Sequence, residues 1–173
     1  TDFRGCTDTV TVEMPEPDTI KITYAVVQPK CNGNANGSID ITVSGGTELP
    51  AGGYTYQWIG VTGNPTVEDP QNLPAGQYLV TVTDERGCKG NATIDVAQPD
   101  ALTLTFNKVD VTCHGQGDGS LEAVVTGGTG LYNYIWIPSV LGSGSTLTGL
   151  SGQTITLTVV DANGCEISGT QVI

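Results

Sequence analysis

In the stretch GSIDITVSGG, residues 37–46, Ile39, Ile41 and Val43 alternate with Asp40, Thr42 and Ser44. A period of two gives a strand one apolar face and one wet face. The pattern recurs along the chain. YTYQW sets Tyr54, Tyr56 and Trp58 on one side, and YNYIW does so with Tyr132, Tyr134 and Trp136. QYLVTVTD turns Tyr78, Val80 and Val82 inward, and TITLTVVD turns Ile155, Leu157 and Val159 inward, with threonines outside. Further strands are predicted over 19–27, 91–97, 102–111 and 166–173. DERG and DANG read as tight turns joining the last two strands of a unit. No segment sustains a helical period.

The elements come in copies. TDFRGC at residues 1–6 is nearly repeated by TDERGC at 83–88. Cys6 to Cys88 and Cys31 to Cys113 are both steps of 82, as are Pro17 to Pro99 and Asp18 to Asp100. CNGNANGSIDITVSGGT (31–47) lies over CHGQGDGSLEAVVTGGT (113–129) without a gap. Later the step shortens to 78 between the tryptophans and to 77 between Cys88 and Cys165, so the intervening loops differ in length. Self-similarity at a long fixed period marks a repeat array. The expected organisation is the C-terminal strand of a preceding repeat (1–17), one full repeat (18–99) and another (100–173). Seventeen residues without a body bury no core alone, so the chain reads as a piece of a longer one. About seven short strands in roughly 80 residues, with frequent turn signals, predict tandem immunoglobulin-like (PKD-type) antiparallel β-sandwich domains arranged as a rod.

Composition narrows the function classes. Six Lys and Arg against 18 Asp and Glu give a net charge of −12. Such a field repels nucleic acid and anionic lipid. No apolar run approaches the ~20 residues needed to cross a bilayer as a helix, so no direct membrane insertion is expected. Scarce basic residues and recurring cysteines suit an extracellular setting.

The aromatic residues read as structural. Trp58, Trp136, Tyr56, Tyr134 and Tyr78 are expected in the cores. LPAGQY (73–78) resembles a tyrosine corner, which the second repeat lacks because Ile155 stands there.

Candidate chemistry is sparse. The only histidine, His114, follows Cys113, but the matching pair is Cys31–Asn32; no catalytic pair is read there, and the chain is not expected to be an enzyme. NGNANGSID superficially resembles a calcium loop, with Asn32, Asn34 and Asn36 at alternate positions. These are neutral amides, and Val43 stands where a bidentate Glu is wanted. Its counterpart offers His114, Gln116 and Asp118. Calcium candidates therefore reduce to single carboxylates, Asp84, Asp118 and Asp161; no other cofactor is suggested. Asn36-Gly-Ser and Asn91-Ala-Thr fit the acceptor sequon.

Five cysteines remain to be paired. In a sandwich of this kind the first and last strands run the same way. The turn after the first strand and the start of the last then lie at opposite ends, about 26 Å apart for a strand of ~8 residues. A disulfide requires Cα atoms within roughly 7 Å. The bottom of one unit meets the top of the next, which favours Cys31–Cys165 across the repeat junction. Cys88 and Cys6 would then need neighbours beyond this chain or stay reduced. Within-unit pairing (Cys31–Cys88 and Cys113–Cys165) and five free thiols are the alternatives. Short proline-bearing linkers at 15–18 and 98–100 are stiff, and a covalent tie across such a joint would resist bending.

Taken together, Cys-x-Gly-x-x-(Asp/Asn)-Gly-Ser, Gly-Gly-Thr, Tyr-x-Tyr-x-Trp and Leu-x-Ala-Gly-x-Tyr-x-Val-x-Val-Thr-Asp-x-x-Gly-Cys resemble the SprB repeat. Asn36 departs from the Asp found at 118, and the second unit lacks the Gly-x-Tyr. The resemblance implies a tandem-repeat segment of a large filamentous cell-surface adhesin, serving gliding motility and attachment and exported by type IX secretion. It implies as partners neighbouring repeats and the gliding or secretion machinery. DTV (8–10) and DTI (18–20) resemble the O-glycosylation signal of the same bacterial group. A binding module is the rival function, with loops 45–53 and 61–72 recognising surface polysaccharide; a spacer in a secreted hydrolase is another.

Overall fold

The computed structural model describes residues 4–5, 10–11, 16, 18–49, 53–63, 66–138 and 142–173. Cys6, Asp8, Thr9 and most of the leading segment lie outside the described residues. Among those described there is no helix, and every sheet pairing is antiparallel.

Twelve strands among the described residues form four three-stranded sheets, two around each core. The first core lies between one sheet of β1 (Lys21–Val27), β2 (Gly37–Ser44) and β4 (Gln71–Leu73) and another of β3 (Thr55–Ile59), β5 (Gly76–Thr83) and β6 (Lys89–Val96). The second repeats this with β7 (Thr103–Val109), β8 (Gly119–Thr126) and β10 (Thr146–Leu150) facing β9 (Asn133–Ile137), β11 (Thr154–Val160) and β12 (Glu166–Val172). In both, the first strand lies beside the last, which closes one side of the sandwich.

Alternation explains the cores. Ile39, Ile41, Trp58, Tyr78, Val80 and Val82 are buried in the first, and Leu121, Trp136, Ile155, Leu157 and Val159 in the second. Neither tryptophan leaves its indole N–H unpaired. Trp58 donates to the Val67 carbonyl and Trp136 to that of Gly144, each at 2.8 Å. Tyr56 and Tyr134, on edge strands, are half-buried and pack against the rims of their cores. Threonines on the outer faces pair across strands, as in Thr156–Thr170 at 3.0 Å and Thr158–Ser168 at 2.9 Å.

Among the described residues each core has six strands, where about seven were expected. The reason lies between β3 and β4. There the chain runs along β2 without a regular ladder: Pro70 has no N–H to give, although its carbonyl accepts from Ile39 N at 3.1 Å. The Asp69 carboxylate, not a main-chain carbonyl, accepts from Ile41 N at 2.9 Å. In the second unit the matching amide, Ala123 N, donates to the Ser145 carbonyl at 2.8 Å, and the strand that follows is longer. Asn72 takes a φ of 58° where the second unit has Gly149 at 71°. Asn tolerates this left-handed conformation better than most residues.

Tyr78 turns its hydroxyl back to the Pro74 carbonyl at 2.8 Å, from a side chain only 3% exposed. Ile155 fills the matching place with no polar atom. Tyr78→Phe is therefore expected to destabilise the first unit by about 1 kcal/mol, leaving the second unchanged, as read by chemical denaturation of each unit's tryptophan signal.

Candidate functional site at the junction between the units

The upper end of each unit is built around a buried aspartate. Asp84 accepts from Thr47 N at 3.0 Å, Arg86 N at 2.9 Å and Cys88 N at 2.8 Å. Asp161 accepts from Thr129 N, Asn163 N and Cys165 N, each at 2.8 Å. Both are at most 5% exposed. Each carboxylate thus joins the Gly-Gly-Thr loop to the turn before the last strand. The glycines are required there: Gly128 has a φ of 63°, and a Cβ would sit 2.7 Å from Asp161 Oδ2. Tyrosine hydroxyls close the same loops, Tyr54 onto the Gly45 carbonyl at 2.7 Å and Tyr132 onto that of Gly127 at 2.6 Å.

The bond from Thr47 N and those from Cys88 and Arg86 hold the Asp84 carboxyl below its ordinary range. For Asp161 burial pushes upward, but bonds from Cys165, Thr129, Asn163 and Gly164 outweigh it, and the net direction is down. A carboxyl depressed in the folded state adds stability that is complete above its unfolded pKa of about 4 and disappears as pH falls through the folded value. Melting temperature is accordingly expected to hold steady down to about pH 5 and then to fall. Asp161→Asn should lower the neutral-pH melting temperature and flatten the acid fall of the second unit alone. Scanning calorimetry across pH checks both.

Asp118 differs. Its carboxylate accepts from Thr112 Oγ1 at 2.6 Å and Thr112 N at 3.1 Å on an exposed turn, and the Thr112 hydroxyl is the main cause of its lowered pKa. The three calcium candidates are thus separate hydrogen-bonded pins. Among the described residues no three His, Cys, Asp or Glu side chains converge as a metal site. His114 lies exposed beside an exposed Cys113.

The lower end of the first unit meets the upper end of the second. Cys31 follows β1 in a turn closed by Asn34 N to the Cys31 carbonyl at 3.2 Å. Cys165 precedes β12. The structure joins them in a disulfide with Cα atoms 5.7 Å apart. One further bond crosses the joint, and two tie the Cys31 turn to the linker. Asn163 Nδ2 donates to the Lys30 carbonyl at 2.9 Å, Asn32 Nδ2 to the Pro99 carbonyl at 3.0 Å, and Gly33 N to Gln98 Oε1 at 2.8 Å. Beside the disulfide an open cleft of about 500 Å³ is lined by Asn32, Asn34, Asp100, Leu102, Glu166 and Ile167 among others. Asn163 and Gln98 carry no motif of their own. Their only sequence signal was adjacency to a recurring cysteine and to a linker proline.

Two antiparallel sandwiches of one design, tied where they meet, define a tandem immunoglobulin-like repeat protein. Residues 23–63 and 105–141 each match the family model of the SprB repeat. Comparison with curated proteins finds no match. Among solved structures, a C-terminal 282-residue fragment of intimin, in complex with the intimin-binding domain of the translocated intimin receptor, is similar at 16% identity and a TM-score of 0.47. That alignment covers 87% of this chain and 63% of the fragment, so the chain spans less than two-thirds of it. Sidekick-1 immunoglobulin domains 1–5 align at 10% identity and a TM-score of 0.43, over 91% of this chain and 39% of theirs. Fibronectin(III)-like modules of Clostridium thermocellum CbhA align at 14% identity and a TM-score of 0.32, over 88% of this chain and 91% of theirs.

Proposed function

We propose that the chain is a stiff structural segment of a large filamentous adhesin on the outer surface of a gliding bacterium, secreted by the type IX route and serving attachment and motility. Residues 18–99 and 100–173 are its working units, and neighbouring repeats are their first partners. The observation that carries this reading is the Cys31–Cys165 tie between units, supported by the hydrogen bonds around it. Joining two folded units covalently across a short proline-bearing linker does nothing for catalysis. It removes freedom at the joint, which a filament under drag requires. A disulfide also persists only in an oxidising setting, in keeping with the cell exterior. Contact with surface polysaccharide falls to the loops 45–53 and 61–72.

Immunolabelling of intact cells tests this. Antibodies against residues 18–173 should decorate the outer surface, and brief protease treatment should remove the label together with adhesion to glass. Labelling only after permeabilisation would sink the proposal.

A further inference from the structure

The joint between the two units uses one half from each, and each unit also carries the half it does not use. Cys113 holds the place of Cys31, and Cys88 that of Cys165. The matching geometry is close. Gln116 N donates to the Cys113 carbonyl at 3.1 Å, as Asn34 N does to that of Cys31 at 3.2 Å. Gly115 has a φ of 85° and Gly33 of 78°. At the other end, Cys88 N donates to Asp84 Oδ1 and Cys165 N to Asp161 Oδ1, both at 2.8 Å. Asp84 N returns to the Cys88 carbonyl at 3.0 Å and Asp161 N to that of Cys165 at 2.9 Å. Gly87 and Gly164 have φ values of 83° and 82°. The bonded cysteines thus stand on the same two turns as the unbonded ones. Cys88 and Cys113 are exposed thiols, and they face opposite ends of the pair, so they do not reach each other within the chain.

We propose that Cys88 and Cys113 are the unmated halves of the same joint, each taking another unit of this kind. Cys113 bonds the last-strand cysteine of a following unit, and Cys88 bonds the turn cysteine of a preceding one. The partner is a repeat of this chain's own design; this inference rests on the stapled-segment reading above and extends it. At such a joint Arg86 occupies the place of Asn163, and its guanidinium donates to the carbonyl of the residue before the turn cysteine, as Asn163 does to Lys30. The contact is head to tail, so it propagates without closing. Formation is ordinary thiol–disulfide exchange with a small-molecule disulfide. One cysteine thiolate attacks it and expels one thiol; the second cysteine thiolate then attacks the mixed disulfide and expels the other. Two electrons pass to the reagent and two protons leave the protein thiols.

A tandem chain tests this, with Ile173 of one copy followed by Pro15 of the next. That restores the three linker residues found between Val96 and Asp100. Cys6→Ser and Cys88→Ser in the first copy, with Cys113→Ser in the second, leave only the proposed partners and the two Cys31–Cys165 pairs. After oxidation in glutathione buffer, free thiols should fall from two to none in a monomeric product, and a Cys113–Cys88 peptide should appear in a non-reducing digest. Cys31–Cys165 peptides with two thiols still free, or with Cys113 linked between molecules, would overturn the repeating staple and leave the first joint standing. Loss of the Cys31–Cys165 peptides as well would overturn both.

Discussion

Trp136→Ala is expected to unfold the second unit and leave the first folded. The indole is 1% exposed, packs tilted against Phe106 at 6.4 Å between ring centroids, and bonds Gly144 through its N–H. Truncating a buried Trp of this kind costs about 3–5 kcal/mol. For a unit of this size the melting temperature should drop by roughly 15–30 °C. The second unit's stability is itself only several kcal/mol, so little of it survives. Trp58→Ala should do the same to the first unit. Calorimetry should then show one transition displaced and the other near its original temperature. Parallel loss of both transitions in either variant would mean the two cores unfold as one.

Breaking the Cys31–Cys165 bond should act on both units together. If either unit unfolds alone, the tie still closes a loop of roughly 65 residues, and chain entropy puts that constraint at up to about 4 kcal/mol. A within-unit disulfide would protect only the unit that contains it. Cys31→Ser combined with Cys165→Ser should therefore lower both melting transitions. The folded protein should also gain freedom at the joint, where one hydrogen bond and the linker remain. Small-angle scattering should show a broader distribution of distances in the variant than in the wild type. Destabilisation confined to one unit would argue against a junction tie.

Much of the architecture was written in the alternation. Ile39 and Ile41, Val80 and Val82, and Leu157 and Val159 are buried at successive odd or even positions because a pleated strand leaves no other choice. Strand number was harder to read. Residues 66–70 carry strand-compatible side chains, yet Pro70 and the Asp69 carboxylate replace a main-chain ladder with isolated bonds. Asp84 and Asp161 read as loop acids and calcium candidates. Their pattern, an Asp three residues before a Gly-Cys pair and a Gly-Gly-Thr upstream, held the signal for a cap, but only the folded loops show three main-chain N–H groups converging on each carboxylate. The hydrogen bonds at the joint were the least legible. Asn163 acts through its amide on a backbone carbonyl of the other unit and Gln98 on the Gly33 N–H of its own, and backbone partners leave no trace in sequence.

A covalent link joins the turn after β1 to the turn before β12. A proteolytic digest of the native, alkylated chain without reductant, resolved by mass spectrometry, reads this link directly. The predicted product is a cross-linked species joining the Cys31 and Cys165 peptides, with neither paired to Cys88 or Cys113. A Cys31–Cys88 or Cys113–Cys165 species, or alkylation of Cys31 and Cys165, would contradict it.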